Sequence, residues 1–209
     1  MPNAKAFDQM GKIASALAMT ILDAIAAGTL AAVIAFILAV IASRVSGVGG
    51  PVQMVIRAFA TVLRNIPTVA WGFILLFSFK QAEFTGFLAL FFKSLGFLTR
   101  AFIETIDEAD AGSIEALKAT GASKLQIIVH GVFPLSLTQV VSWVLYMIET
   151  NFRDATLVGM LTGTGIGFVF NWYYRTFKYP TAGLVIICIA VAVIVVEAVS
   201  NYVRRRIGA

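Results

Sequence analysis

The chain has 209 residues, 59% hydrophobic and only 13% charged, with sixteen Lys and Arg against eleven Asp and Glu, for a net charge of +5. A water-soluble globular domain carries about 25% charged and about 45–50% apolar residues, so a fold made mainly against water is excluded and a polytopic membrane protein is expected. A lone cysteine, Cys188, excludes a disulfide framework or a cysteine metal site, and without a basic-aromatic cluster the excess positive charge belongs to membrane flanks rather than to nucleic-acid binding.

The first dozen residues are mixed polar and lack a small-residue cleavage pattern, so they do not read as a cleavable signal. A first span is expected over residues 25–42, ending at Ser43-Arg44 and followed by the turn-forming run SGVGGP at 46–51. The second is composite: residues 52–63, which include Arg57, lead through RNIP at 64–67 into the apolar stretch 68–79. Its Pro67 predicts a kink whose freed carbonyl is satisfied by neighbours or water. A third span covers 84–103 and ends in the acidic run ETIDEAD at 104–110. The fourth begins near Pro134 and continues through the polar group at 149–154 to Phe168. The fifth, 179–202, has about twenty apolar residues, enough for a hydrocarbon core of about 30 Å, and stops at Arg204-Arg205-Arg206.

Lys and Arg near span ends are retained in the cytoplasm, which sets the C-terminus inside. Counting five spans back puts the N-terminus outside, Arg44 inside, the 80–83 turn outside and the segment 104–133 inside. Lys5 and Lys12 run against that rule; a short extra amphipathic turn, or a span lost upstream, accounts for them.

One stretch, EALKATGASKLQIIVHGVFP at 115–134, does not fit an apolar chain. Ser113 is expected to cap a short helix whose first turn holds Glu115, a carboxylate at the positive end of the helix dipole. Gly121 suits the left-handed conformation that ends that helix. Ser123-Lys124-Leu125-Gln126 reads as a capping box opening a second helix, which Pro134 is expected to close where the next span enters. The mixed surface of Ala, Leu, Ile and Lys suits a groove on a soluble partner better than lipid or water.

Glu115-Ala116, then Gly121 six residues after the Glu and Pro134 thirteen after the Gly, resemble the EAA loop of ABC importer permeases, with Leu117, Gly131 and Phe133 departing from the family's Ala, Ile and Leu. RNIP before a span and ETNFRDATLVG followed by a Gly-rich run resemble the phosphonate-type branch, over roughly residues 57–168; here LTGTGIG replaces a run richer in Gly and Ala. The resemblance implies an all-α, type I importer-like permease of about five transmembrane helices, one transmembrane domain over 1–209 with a cytoplasmic coupling loop at about 104–134. It implies that Glu115, Ala116, Gly121, Ala122, Ser123 and Pro134 couple the chain to an ATPase. The implied partners are a second permease chain, two ABC ATPase subunits that hold ATP and Mg, and an extracytoplasmic solute-binding protein, all at a bacterial inner membrane. The implied solute is a small phosphorus oxyanion: phosphonate, phosphite or phosphate. An amino acid or another small solute is the alternative within the family, and a channel or secondary carrier the alternative outside it. No enzymatic activity, cofactor or nucleic acid is expected of the chain itself.

Ionisable groups within an apolar span usually face a cavity or pair with one another. Glu149 and Arg153 are four apart and suit an intrahelical pair, which gives two readings of the polar group Glu149, Asn151, Arg153 and Asp154. One is a structural pair holding a break in the fourth span. The other is a path for an anionic solute bordered by Arg153, Asn151, Thr156, Gly159 and Arg64, an arginine fork being well matched to phosphonate oxygens. Arg64, beside Pro67, equally suits a snorkelling or structural role. The run 163–167 lacks GxGxxG spacing and the Lys-Ser/Thr of a Walker motif, so it reads as close helix packing. His130 stands without a catalytic or metal-binding set and reads as a surface or capping group. Asp23 reads as meeting water or a headgroup near the outer end of the first span.

Overall fold

The computed structural model describes residues 4–44, 50–108 and 111–208, and no strand occurs among them. In chain order the helices are α1 (Ala4–Phe7), α2 (Met10–Ala42), α3 (Gly50–Asn65), α4 (Thr68–Phe79), α5 (Glu83–Asp107), α6 (Ala111–Ala119), α7 (Lys124–Ile127), a π turn (Ile128–Val132), α8 (Phe133–Thr162), α9 (Gly165–Arg175) and α10 (Tyr179–Ile207). Among the described residues, four stretches are long and apolar enough to cross a membrane: α2, α5, the 39-residue run Lys124–Thr162, and α10. The pair α3 and α4 makes a fifth only with a 94° bend.

Large side chains such as Phe102, Phe152 and Leu98 fill the core, and α2 meets them with a face of small residues. On α2 the buried positions Ala24, Ala27, Gly28, Ala31, Ala35, Ala39 and Ala42 recur at helical spacing on one face, while Leu22, Leu30, Val33 and Ile37 are exposed. Lipid tails are as apolar as Leu, so helices associate in a membrane by close packing, which small residues permit. The Ala face of α2 accordingly lies along α5 and α8. Ile186, Ile187, Val191, Ile194 and Val195 of α10 form an exposed apolar face of the kind that lipid covers.

The helix boundaries correct several expectations and bear out others. The first span starts at Met10, not residue 25, because Ile13 packs into a cluster with Ile166, Tyr173 and Val185 and holds the polar start in helix. Asp23 therefore lies thirteen residues into α2, half-buried, and still level with the expected outer turn, since Glu83 at the start of α5 is its charged neighbour. The kink expected at Pro67 is present, as a bend of 94°. Pro67 has no N–H to continue the ladder, and its ψ of 146° turns the chain out of the α3 direction. The freed end of α3 is satisfied as expected, Trp71 Nε1 donating to the Leu63 carbonyl at 3.2 Å. The fourth span does not reach Phe168: it stops at Thr162, where Gly163 adopts φ 75° and α9 begins a separate helix. Gly167 then sits so tightly on the α8 backbone that a Cβ there would overlap the Thr156 carbonyl, which is close helix packing at its limit. No break occurs at Glu149–Arg153, since α8 is continuous through both.

Pro134 supplies a further correction. It does not close a helix; it sits in the first turn of α8, just past the π turn. A proline ring clashes with the carbonyl four residues back and leaves its hydrogen bond unmade. Here the wider turn absorbs it, with the Phe133 N–H bonding to the Ile128 carbonyl five residues back. Lys124–Thr162 is thus one helical rod.

Arg57 and Asp107 fasten one end of the bundle. Arg57 Nη2 donates to Asp107 Oδ2 at 2.7 Å and to the Ala42 carbonyl at 3.1 Å, and the Arg44 N–H donates to Asp107 Oδ1 at 2.8 Å. One carboxylate ties α2, α3 and α5 together. The fifth span begins at Tyr179 as expected and runs to Ile207, placing Arg204, Arg205 and Arg206 in the last turn, where the helix dipole favours cations.

Candidate functional site: a docking elbow and two intramembrane charge clusters

The elbow between α6 and α8 has the local geometry its sequence announces. Gly121 takes φ 79°. Its N–H bonds to the Lys118 carbonyl at 3.0 Å, and that of Ala122 to Leu117 at 3.3 Å, the paired bonds of a Schellman C-cap. Ser123 then caps α7: its Oγ accepts from the Gln126 N–H at 3.4 Å, and Gln126 Oε1 accepts from the Ser123 N–H at 2.8 Å. Ser113 falls inside α6 rather than at its start, and its side chain is outside the described residues.

Two faces of the elbow differ. Leu117 and Ala122 pack against the main core cluster, which includes Ile127 and Val132, and Leu117 Cδ1 seats over Gly131, where a Cβ would lie 2.8 Å away. The other face carries exposed Glu115, Ala116, Lys118, Lys124 and His130, with Leu125 at 71% exposure. A leucine this bare among charges is an unfilled contact, and the pinned inner face keeps it in a fixed place. Pro134, also exposed, lies on the α8 side of the π turn.

Along α8 the polar residues point to different neighbours, since 100° per residue sets Arg153 about 200° from Asn151 and Asp154 within about 60° of it. Asn151 is fully buried, its Nδ2 donating to Ser94 Oγ of α5 at 2.8 Å. Arg153, on the other side, pairs with Glu149 and reaches Glu197 of α10 at 3.7 Å. Arg204 of α10 approaches Glu149 at 3.4 Å, and only 9% of the Glu149 side chain is accessible. Two carboxylates and two guanidinium groups thus join α8 to α10 with no net charge. Thr156 donates back to the Arg153 carbonyl at 2.7 Å, and Gly159 is buried beneath the Thr164 carbonyl.

Asp154 belongs to a second cluster. It pairs with Lys93 of α5 and accepts from Thr68 Oγ1, the first residue of α4, at 2.6 Å. Lys93 escaped the sequence reading, although a lysine within ALFFKSLGF is the signal to look for in an apolar span. Arg64 lies nearby. A Cβ on Gly96 would come 2.5 Å from the Arg64 amide, and Gly96 is one turn along α5 from Lys93. The Arg64 side chain is exposed and makes no ion pair among the described residues. The sequence-predicted pathway residues are therefore not brought into one place: the Arg64 backbone lies against Gly96 of α5, Asn151 and Gly159 sit in helix contacts, and Arg153 faces α10.

Among the described residues no group of three or more His, Cys, Asp or Glu is arranged to hold a metal ion. Two solved permease-containing assemblies share the fold: a MetNI methionine ABC transporter in inward-facing conformation, with a TM-score of 0.78 at 18% identity over 99% of each chain, and an amino acid ABC transporter, with 0.73 at 14% over 96% of this chain and 98% of that one. In sequence, the phosphite transport system permease protein PtxC of Stutzerimonas stutzeri is 30% identical over 186 residues, 89% of this chain and 68% of PtxC. The phosphate-import permease protein PhnE of Mycolicibacterium smegmatis is 28% identical over 151 residues, 72% of this chain but 28% of PhnE. Residues 31–209, from the Ala face of α2 to the last turn of α10, match the binding-protein-dependent transport system inner membrane component family, and the chain belongs to that family.

Proposed function

We propose that the chain forms half of the membrane pathway of an ATP-driven importer for small phosphorus oxyanions. The observation that carries the coupling half of this reading is the elbow, a rigidly capped helix–turn–helix with an exposed contact face. A channel or a secondary carrier has no need of such a face. The solute class is supported by the similarity to permeases named for phosphite and phosphate transport.

In this reading the elbow lies in the cytoplasm, on the side of the triple Arg, and its exposed face seats in a groove of an ABC ATPase subunit. ATP and Mg stay on that subunit. Leu125 supplies the apolar anchor, Glu115, Lys118 and Lys124 the surrounding polar contacts, and Gly121 and Ser123 the shape. Because α7, the π turn and α8 form one rod, a push on the elbow is carried along α8 to Asp154 and to the sharp return at Gly163. A second copy of the chain completes the pathway, and an extracytoplasmic solute-binding protein delivers the solute to the face bearing the 80–83 turn. Among the residues expected to border the pathway, Arg64 takes that role; Asn151, Thr156 and Gly159 support helix packing, and Arg153 holds α10.

The test is uptake of radiolabelled phosphite and methylphosphonate by the complex reconstituted with its ATPase subunits and binding protein. ATP-dependent uptake of either is expected, and uptake of amino acids but neither oxyanion would move the chain to another solute class. For sidedness, Cys188 is replaced and single cysteines are placed at Ser123 and Ala82. Ser123→Cys is expected to react only from the cytoplasm and Ala82→Cys only from outside; labelling of the former from outside removes the coupling role.

A further inference from the structure

We infer that Lys93 is the cation that receives the oxyanion partway across the membrane, and that Asp154 is its displaceable counterion. This rests on the oxyanion-importer reading above. Lys93 lies ten residues past Glu83, about 15 Å along α5, and Asp154 eight residues before Thr162, about 12 Å along α8. Both are thus near mid-depth of a hydrocarbon core about 30 Å thick, where charge is costly and marks a pathway.

Two features make this pair a receiving site rather than a fastening. It is accessible: 22% of the Lys93 side chain and 23% of that of Asp154 remain exposed. It sits at a chain break, because Thr68 opens α4 directly after Pro67, and the first helical bond runs from the Trp71 N–H to the Pro67 carbonyl at 3.0 Å. The amides before Trp71 stand at the positive end of that helix, which favours an anion.

The chemistry suits passage rather than capture. A bare lysine at this depth would hold an oxyanion too firmly for release. With Asp154 competing for the same ammonium, an arriving phosphonate or phosphite exchanges one anion for another. The carboxylate meanwhile keeps the Thr68 hydroxyl as donor. When the solute leaves, Asp154 returns to Lys93. Rotation of α8 by the elbow would change the Asp154–Lys93 contact directly, because both ends of the rod move together.

The test uses the complex with its ATPase subunits and binding protein, with radiolabelled methylphosphonate as the probe. Lys93→Gln is expected to lower transport per ATP hydrolysed at least tenfold with normal assembly, and Lys93→Arg to retain most of it. Asp154→Asn, which unmasks the cation, is expected to raise equilibrium binding of methylphosphonate to the solubilised complex at least tenfold while slowing transport. The double variant Lys93→Gln/Asp154→Asn should lose that binding. A fastening pair predicts the opposite, since an apolar replacement often serves a structural ion pair equally well. Full transport by Lys93→Leu/Asp154→Leu, or unchanged transport by Lys93→Gln, overturns the inference. Should the single variants fail to assemble, the Leu double variant decides: assembled but inactive supports the site. A wild-type complex that moves neither oxyanion removes the solute class itself, an outcome distinct from normal wild-type uptake with indifferent Lys93 variants.

Discussion

Two charge clusters lie on different faces of α8, and they differ in the helices they join. Glu149, Arg153, Glu197 and Arg204 balance to zero and join two unbroken helices. Lys93 and Asp154 meet at the start of α4, just past the break at Pro67. Residue type does not separate them, since each has a basic group on a carboxylate. Backbone continuity does. A set between continuous helices has no open backbone beside it, whereas a pair at a helix start stands next to the free amides of the first turn.

The largest effect expected from this contrast is at Glu149. Only 9% of its side chain is accessible, and it receives both Arg153 and Arg204. Removing one partner of a buried ion pair costs about 3–5 kcal/mol because the remaining charge is stranded. Arg204 Nε is already buried without a hydrogen-bond partner among the described residues, which leaves that group no reserve. Glu149→Ala is therefore expected to destabilise the solubilised complex by on the order of 3–5 kcal/mol in denaturant unfolding. A loss below about 1 kcal/mol would mean that α10 is held by apolar packing alone and that the two clusters are not different in kind.

Next comes the elbow, which under the proposed function links the bundle to an ATPase subunit. A β-branched residue at the left-handed φ of 79° is strained by about 1–2 kcal/mol or more. A Cβ on Gly121 would meet nothing within 4 Å, so the effect of Gly121→Val is on backbone shape and not on packing. Recovery of ATPase subunits with the permease should fall on the order of tenfold, with membrane insertion unchanged, since 1.4 kcal/mol is a factor of ten. Gly121→Asn, which tolerates the left-handed region, should keep most of that association. Equal loss in both variants would point to the missing hydrogen atom's space rather than to φ as the determinant.

Local signals were the ones the sequence made legible. Gly121, the Ser123–Gln126 capping box and the Glu149–Arg153 spacing each act within one or two turns, and all three adopt the expected geometry. The helix ends that depend on distant partners were not legible. The polar start of α2 is held by Ile166, Tyr173 and Val185, more than 150 residues away in sequence, and no local pattern encodes that support. Pro134 misled because a proline reads as a stop, whereas one widened turn lets the rod continue. Lys93 was overlooked since its partner, Asp154, lies 61 residues on and had been grouped with its chain neighbours. On a helix, chain neighbours point apart, so residues 153 and 154 serve different clusters.

The smallest effect, and the sharpest test of the contrast, is at Arg153. Its side chain is 45% exposed, its contact with Glu197 is long at 3.7 Å, and Glu197 is itself 50% exposed. Screening by the surroundings keeps such contacts near 0–1 kcal/mol. Loss of the arginine does not strand Glu149, which retains Arg204 at 3.4 Å. Arg153→Gln also keeps a donor of similar reach toward Glu149. Stability and assembly should therefore drop by no more than about 1 kcal/mol, and oxyanion uptake should fall only in proportion to the amount of complex assembled. Uptake and co-purified ATPase subunits, measured on the same preparations, give the ratio directly. A tenfold loss of uptake at normal assembly would put Arg153 on the solute's route and make the α8–α10 cluster part of the pathway. An unchanged ratio, set beside a collapse in Lys93→Gln, would leave the route on the side of α8 that faces Thr68 and Lys93.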